Sequence, residues 1–179
     1  MHRKLKNSEL NRLTKEQFKV AQKVPIVLVL DNIRSQHNIG AAFRTADAFA
    51  LEKIVLCGIC AIPPSAEIHK SALGAEDSIK WSYNEDTIVA VNELKAQGYT
   101  IISVEQTEKA VLLSDFIPNN DERYALVFGN EVKGVQQEVV DVSDMVVEIP
   151  QFGTKHSLNV SVSIGVVVWE LVKSLKTLF

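Results

Sequence analysis

Pro25-Ile-Val-Leu-Val-Leu30 is an uninterrupted apolar run that stops at Asp31, and it restricts the fold more than any other stretch. A strand with one wet face alternates apolar and polar residues. A strand that is apolar throughout has both faces covered, as in a parallel sheet with helices on either side. Lys53–Cys57, Tyr99–Val104, Tyr124–Phe128 and Met145–Ile149 read as further strands. Helical spacing falls between them. Asn38–Ala50 sets Ile39, Ala42, Phe43, Ala46 and Phe49 on one side, with Asn38 suited to cap its start. Asp86–Gln97 carries Ile88, Val91 and Leu94 on one face, with Gly98 as its C-terminal stop. A short helix is predicted over Gln136–Val142 and a long one over Ser157–Leu175, where length and the Trp169, Leu171, Leu175 spacing outweigh the β-branched residues. Residues 63–81 are irregular and polar, so a loop with at most a short helix is expected there. Strands alternating with helices predict an α/β fold around a parallel sheet. With no repeat or linker, 179 residues form one domain.

Composition excludes broad classes and selects none. The formal net charge of −3 gives no overall support to a nucleic-acid partner. The N-terminus differs: Arg3, Lys4, Lys6, Arg12, Lys15, Lys19 and Lys23 face only Glu9 and Glu16. Residues 1–24 are therefore read as a basic arm or helix and 25–179 as the domain proper. A polyanion could use the arm, and a solvated helix reads the same way. The N-terminus lacks the apolar core of a signal peptide. The apolar stretch 160–172 is broken by Ser161, Ser163, Gly165 and Glu170, too short and too polar to span a bilayer. A soluble, cytoplasmic protein with no membrane partner is expected. Cys57 and Cys60 form a C-x-x-C with no second ligand pair for zinc, and Pro63-Pro64 follows where a redox pair would want a helix. They read as small apolar residues at a strand end, and no metal is expected.

Ligands of open α/β sheets sit beyond the carboxyl ends of the strands. Three loops there are unusual. In Asn38-Ile-Gly-Ala-Ala-Phe-Arg44, Gly40 and Arg44 share a helical face. Gly40 would admit a phosphate or cofactor closely while Arg44 offers a planar fork; alternatively, Arg44 pairs with Asp47 on a solvated surface. Gly129-Asn-Glu-Val-Lys-Gly134 allows close ligand approach, although Glu131 could simply be a charge favoured by the following helix. It is neither a dinucleotide fingerprint nor a P-loop, which argues against a Rossmann-type or flavodoxin-like enzyme. After Ile149-Pro150, polar Ser157 and Asn159 open an apolar helix. Ser157, Ser161 and Gly165 make a small-residue stripe fit for a dimer partner or for plain helix-on-sheet packing.

Together the three segments resemble the motifs of the SpoU/TrmH branch of the SPOUT RNA methyltransferases. Asn38, Gly40 and Arg44 stand for the first motif and Gly129, Glu131 and Gly134 for the second. Ile149-Pro150, Gly153 and Ser157-Leu-Asn-Val-Ser161 stand for the third, and the likeness runs from Pro25 to the C-terminus. The resemblance implies a parallel sheet whose C-terminal segment threads a deep trefoil knot, and a homodimer. It also implies S-adenosyl-L-methionine bound by Gly129, Ile149, Leu158 and the turn Val104, Glu105, Gln106. Catalysis is expected to rest on Arg44, with Ser157, Asn159, Asn38 and Glu131 beside it.

The implied activity is RNA ribose 2′-O-methylation. In that chemistry Arg44 would anchor a phosphate and stabilise the developing alkoxide, since guanidinium stays protonated, while the proton leaves by another route. Val104-Glu-Gln-Thr107 and His156–Asn159 look most like the branch acting on a tRNA D-loop guanosine. Ribosomal RNA is the alternative substrate. A catalytically inactive RNA-binding dimer is the non-enzymatic rival.

Overall fold

The computed structural model describes residues 2–175. Its elements are α1 (Lys15–Val20), β1 (Val24–Asp31), α2 (Gln36–Ala48), β2 (Leu51–Cys57), α3 (Ala66–Ala72), β3 (Trp81–Asn84) and α4 (Thr87–Ala96). They continue as β4 (Tyr99–Val104), β5 (Val111–Leu112), β6 (Arg123–Phe128), α5 (Gln137–Val142), β7 (Met145–Glu148) and α6 (Val160–Ser174). The strands form one sheet in the order β3-β2-β1-β6-β4-β7-β5, and every pairing in it is parallel.

The apolar run of β1 is explained by two cores, one on each face. Ile26, Leu28 and Leu30 point into a core shared with α2, α3 and α6, while Val27 and Val29 point into one shared with α4 and α5. All five are completely buried, each worth about 1.5–3 kcal/mol relative to exposure. The alternation has period two because successive side chains leave a strand on opposite faces.

The long elements lie where their spacing placed them, and several details differ. Helix α2 begins before Asn38: Ser35 is its cap, accepting from the Asn38 amide at 3.3 Å. Helix α6 begins at Val160 with Asn159 as its cap, so Ser157 and Leu158 belong to the preceding loop. Helix α3 is the short helix allowed within 63–81. The edge strands β3 and β5 carry no apolar run long enough to betray them. Gly98, at φ +84°, follows the last turn of α4 as predicted. The last four residues of the expected domain lie outside the described residues.

The basic arm is partly built into the fold. Thr14 and Gln17 form a capping box on α1, and Phe18 joins the α2-side core. Lys15 Nζ pairs with Asp77 at 2.9 Å. Lys23 Nζ lies 3.0 Å from the Phe18 ring centroid and donates to the Phe18 carbonyl.

Candidate active site

At the carboxyl ends of β4, β6 and β7 the chain encloses a cleft of about 700 Å³, within the usual range for small-molecule sites. Val104, Glu105, Gln106, Gly129, Ile149 and Leu158 all line it, as do Glu131, Ser157 and Asn159. Asn38 and Arg44 do not.

The cleft wall depends on the absence of side chains at two positions. A Cβ on Gly129 would lie 2.0 Å from the Gly134 carbonyl carbon and 2.1 Å from the Val135 nitrogen. The loop folds back because Asn130 and Gly134 exchange backbone hydrogen bonds at 3.0 and 2.9 Å. Gly134 sits at φ +70°, a conformation that other residues rarely adopt, and a Cβ there would meet Glu105 Oε2 at 2.1 Å. That carboxylate is itself engaged: Oε2 accepts from the Val135 amide at 3.0 Å and Oε1 from the Gln106 amide at 2.8 Å.

Glu131 is not held by the helix that follows it, which starts six residues later, but by the N-terminus of α2. Its carboxylate accepts from the amides of Arg34 and Ser35 and from Asn38 Nδ2, all at 3.1 Å. Partial burial raises its pKa, but hydrogen bonds led by that from Arg34 outweigh this and leave it below the ordinary glutamate value. Asn38 is buried, and its Oδ1 accepts from Asn159 Nδ2 at 3.3 Å. Asn159 Oδ1 caps α6 through the Ser161 amide at 2.9 Å. Three of the five candidate catalytic residues therefore form one chain of contacts, Glu131–Asn38–Asn159, joining the glycine loop, α2 and α6.

Arg44 stands on the exposed side of α2 with no hydrogen bond or ion pair among the described residues. The surface pair with Asp47 is not formed; the basic groups near Asp47 are Lys23 and Arg12. Gly40 also departs from expectation. Its missing Cβ would lie 2.1 Å from Ser71 Oγ and 2.3 Å from the Ile68 carbonyl, so the glycine admits α3, not a ligand.

The sequence matches the profile of the SpoU rRNA Methylase family over residues 25–169. The chain belongs to that family. Similarity extends to the 23S rRNA (guanosine-2′-O-)-methyltransferase RlmB of Neisseria meningitidis serogroup B, 34% identical over 146 residues, covering 82% of this chain and 57% of that one. It extends also to the tRNA (guanosine(18)-2′-O)-methyltransferase of Aquifex aeolicus, 30% identical over 148 residues, 81% of this chain and 67% of that one. Among solved structures, the AdoMet-bound rRNA methyltransferase from Sinorhizobium meliloti superposes with a TM-score of 0.79 at 25% identity, covering 87% of this chain and 59% of that one. The chain thus spans little more than half the length of the Neisseria relative.

Within this SpoU family chain, sequence reasoning missed a buried staple. Asp31, fully buried at the end of β1, accepts from Thr87 Oγ1 at 2.7 Å and from Asn32 Nδ2, Gln136 Nε2 and the Gln136 amide, each at 2.8 Å. It ties β1 to the start of α4 and to the far end of the glycine loop. An aspartate closing a strand gave no hint of this. Lys133, Gln151 and His156 also line the cleft, and their only sequence signal was adjacency to the motif residues.

The cysteines behave as small buried residues. Burial pushes the Cys57 thiol up to about 12 and the Cys60 thiol up to about 11. Cys60 Sγ accepts from the Ile33 amide at 3.1 Å and donates to the Leu30 carbonyl at 3.3 Å. No cluster of metal-ligating side chains occurs among the described residues, and no helix among them is long and apolar enough to cross a membrane.

Proposed function

We propose that this chain is an S-adenosyl-L-methionine-dependent RNA ribose 2′-O-methyltransferase acting on a guanosine. The observation that carries the reading is the cleft itself: every residue expected to hold the cofactor lines one cavity, and Glu131, Ser157 and Asn159 share it. The cavity suits that cofactor on its own terms. Val104, Ile149 and the 40% exposed Leu158 supply apolar surface for an adenine ring, and Gln106, Asn130, Gln151 and Ser157 line the same cavity as polar groups for the remainder. When bound, the cofactor supplies an electrophilic methyl group.

The chain's own residues then position the acceptor. Arg44 offers an uncommitted planar cation for a substrate phosphate and for charge developing on the 2′-oxygen. The Glu131–Asn38–Asn159 chain ties the start of α2, the helix that carries Arg44, to the glycine loop and to α6, and Ser157 lines the cleft. A tRNA D-loop guanosine is the preferred substrate. Ribosomal RNA is the second reading, favoured by the name of the 34% identical relative. The basic arm is assigned to gripping RNA, and the setting to the cytoplasm.

A homodimer completes the site. Val162, Val166 and Trp169 form an exposed apolar stripe on α6. Beside it, a Cβ on Gly165 would meet nothing within 4 Å, leaving a flat spot for a second copy to pack against. The knot belongs to the same proposal. The chain leaves β7 on one side of the sheet and returns through residues 149–159 to lay α6 against α2, with Trp169 6.1 Å from Phe49. Passage through the 105–122 connection would close the trefoil.

The test is transfer of labelled methyl from S-adenosylmethionine to separated tRNA and rRNA pools lacking the modification, with calorimetric cofactor binding alongside. Label in one pool identifies the substrate class. Cofactor binding without label in either pool would favour the inactive RNA-binding dimer, and no cofactor binding would overturn the whole reading.

A further inference from the structure

A ribose 2′-hydroxyl must lose its proton as it attacks, and Arg44 has no lone pair to accept one. The charged or titratable side chains lining the cleft are Glu105, Glu131, Lys133, Glu148 and His156. Lys133 as an ammonium accepts nothing. Both oxygens of Glu105 are taken by the amides of Gln106 and Val135. Glu131 is held charged by three donors, which makes it a weak base. Glu148 ends β7, half-buried, with its carbonyl accepting from the Leu113 amide at 2.8 Å, and a carboxylate serves as general base less often than an imidazole. His156 differs on every count. An imidazole is the side chain most often used as a general base. It is exposed in the cleft and has no hydrogen bond or ion pair among the described residues. It also adjoins Ser157 and stands three residues before Asn159, whose side chain binds Asn38.

We infer that His156 is the general base that takes the proton from the substrate 2′-hydroxyl. The inference rests on the methyltransferase reading above. The O–H bond breaks, and its proton moves to an unprotonated imidazole nitrogen. The 2′-oxygen forms its new bond to the methyl carbon, and the electron pair of the broken carbon–sulfur bond stays on sulfur. Because His156 is exposed, the imidazolium returns its proton to solvent. Arg44 and His156 thereby divide the work: one stabilises charge on the oxygen and the other removes the proton.

The experiment compares wild type, His156→Ala and His156→Gln in single-turnover methyl transfer from about pH 5.5 to about pH 9, across the imidazole range. Calorimetric binding of S-adenosylhomocysteine and thermal melting accompany it. The wild-type rate should rise with a midpoint in the imidazole range. Both variants should lose that inflection and fall about 10²–10⁴-fold, with melting and S-adenosylhomocysteine affinity unchanged. A readout independent of turnover is the His156 imidazole NMR signal, assigned by its loss in His156→Gln. Its titration midpoint should move when RNA joins the S-adenosylhomocysteine complex. Wild-type rate and pH profile in His156→Ala, or a midpoint indifferent to RNA, would overturn the role of His156 and leave the methyltransferase reading standing. A wild type that binds cofactor but methylates no RNA would defeat that reading, and this inference with it.

Discussion

Gly40→Ala reverses the usual sign of a glycine-to-alanine change inside a helix. In an unencumbered helix the substitution stabilises by about 1 kcal/mol. Here the new methyl would arrive 2.1 Å from Ser71 Oγ, 2.3 Å from the Ile68 carbonyl oxygen and 3.1 Å from the Ala72 amide. The serine hydroxyl could rotate away only by giving up its bonds to the carbonyls of His37 and Ile68 at 3.0 and 3.3 Å. The Ile68 carbonyl is backbone, so α3 would have to retreat by about 1 Å to restore ordinary contact. Overpacking of this kind costs about 1–3 kcal/mol, and separating two packed helices puts the case at the upper end. After the intrinsic gain is subtracted, a net loss of about 1–2 kcal/mol is expected, a fall in Tm of about 2–8 °C for a chain of this size. Thermal and urea unfolding of wild type and variant measure it, and cofactor affinity at 20–25 °C, well below the transition, should be unchanged. A variant as stable as wild type, or one stable but deficient in cofactor binding, would refute the packing role assigned to Gly40.

Three further outcomes follow from the same structure. Glu131→Ala should destabilise by about 1–2 kcal/mol, because Asn38 loses its acceptor while water replaces much of what the exposed Arg34 and Ser35 amides lose. Its folded pKa is depressed, so the stability it contributes is fully present above the ordinary glutamate value of about 4.3 and disappears as pH falls through the lower folded value; an acid limb of the stability curve unchanged in Glu131→Ala would count against this. Cys57 and Cys60, with thiols pushed up to about 12 and about 11, should resist a thiol reagent at neutral pH in the native state and react after unfolding; rapid native labelling would contradict their burial. If α6 forms the proposed homodimer, Trp169→Glu should scatter light as a monomer at micromolar concentration where wild type scatters as a dimer; a dimeric variant would place the interface elsewhere, and a monomeric wild type would contradict the dimer.

What the sequence disclosed follows from how strongly each feature is local. The apolar run of β1 announces its two-sided burial because the pattern lies within six residues, and α4 shows its own apolar face and closing glycine, Gly98. Strand β3, with Ser82 and Asn84 among its four residues, owes its existence to pairing with β2, which no local pattern records. The sequence leaves the cap of α2 ambiguous because Ser35 and Asn38 are both capping residues. The choice depends on Glu131, which lies 93 positions from Asn38 and engages its side chain. Gly40 is ambiguous in sequence for a similar reason: a missing Cβ looks the same whether a ligand or, as here, another helix fills the space. The cleft residues were legible through their motifs, but the link from Glu131 through Asn38 to Asn159, and the staple at Asp31, needed the chain folded.

The most direct test of the central claim is the chemical position of the transferred methyl group. RNA methylated with labelled S-adenosylmethionine by wild type and by Arg44→Ala would be digested in alkali, which cannot cleave beside a 2′-O-methylated ribose. Wild-type label should appear in alkali-resistant dinucleotides that begin with guanosine, with nearly all of it lost in Arg44→Ala at unchanged cofactor affinity. Label appearing only in mononucleotides, or persisting undiminished in Arg44→Ala, would contradict it.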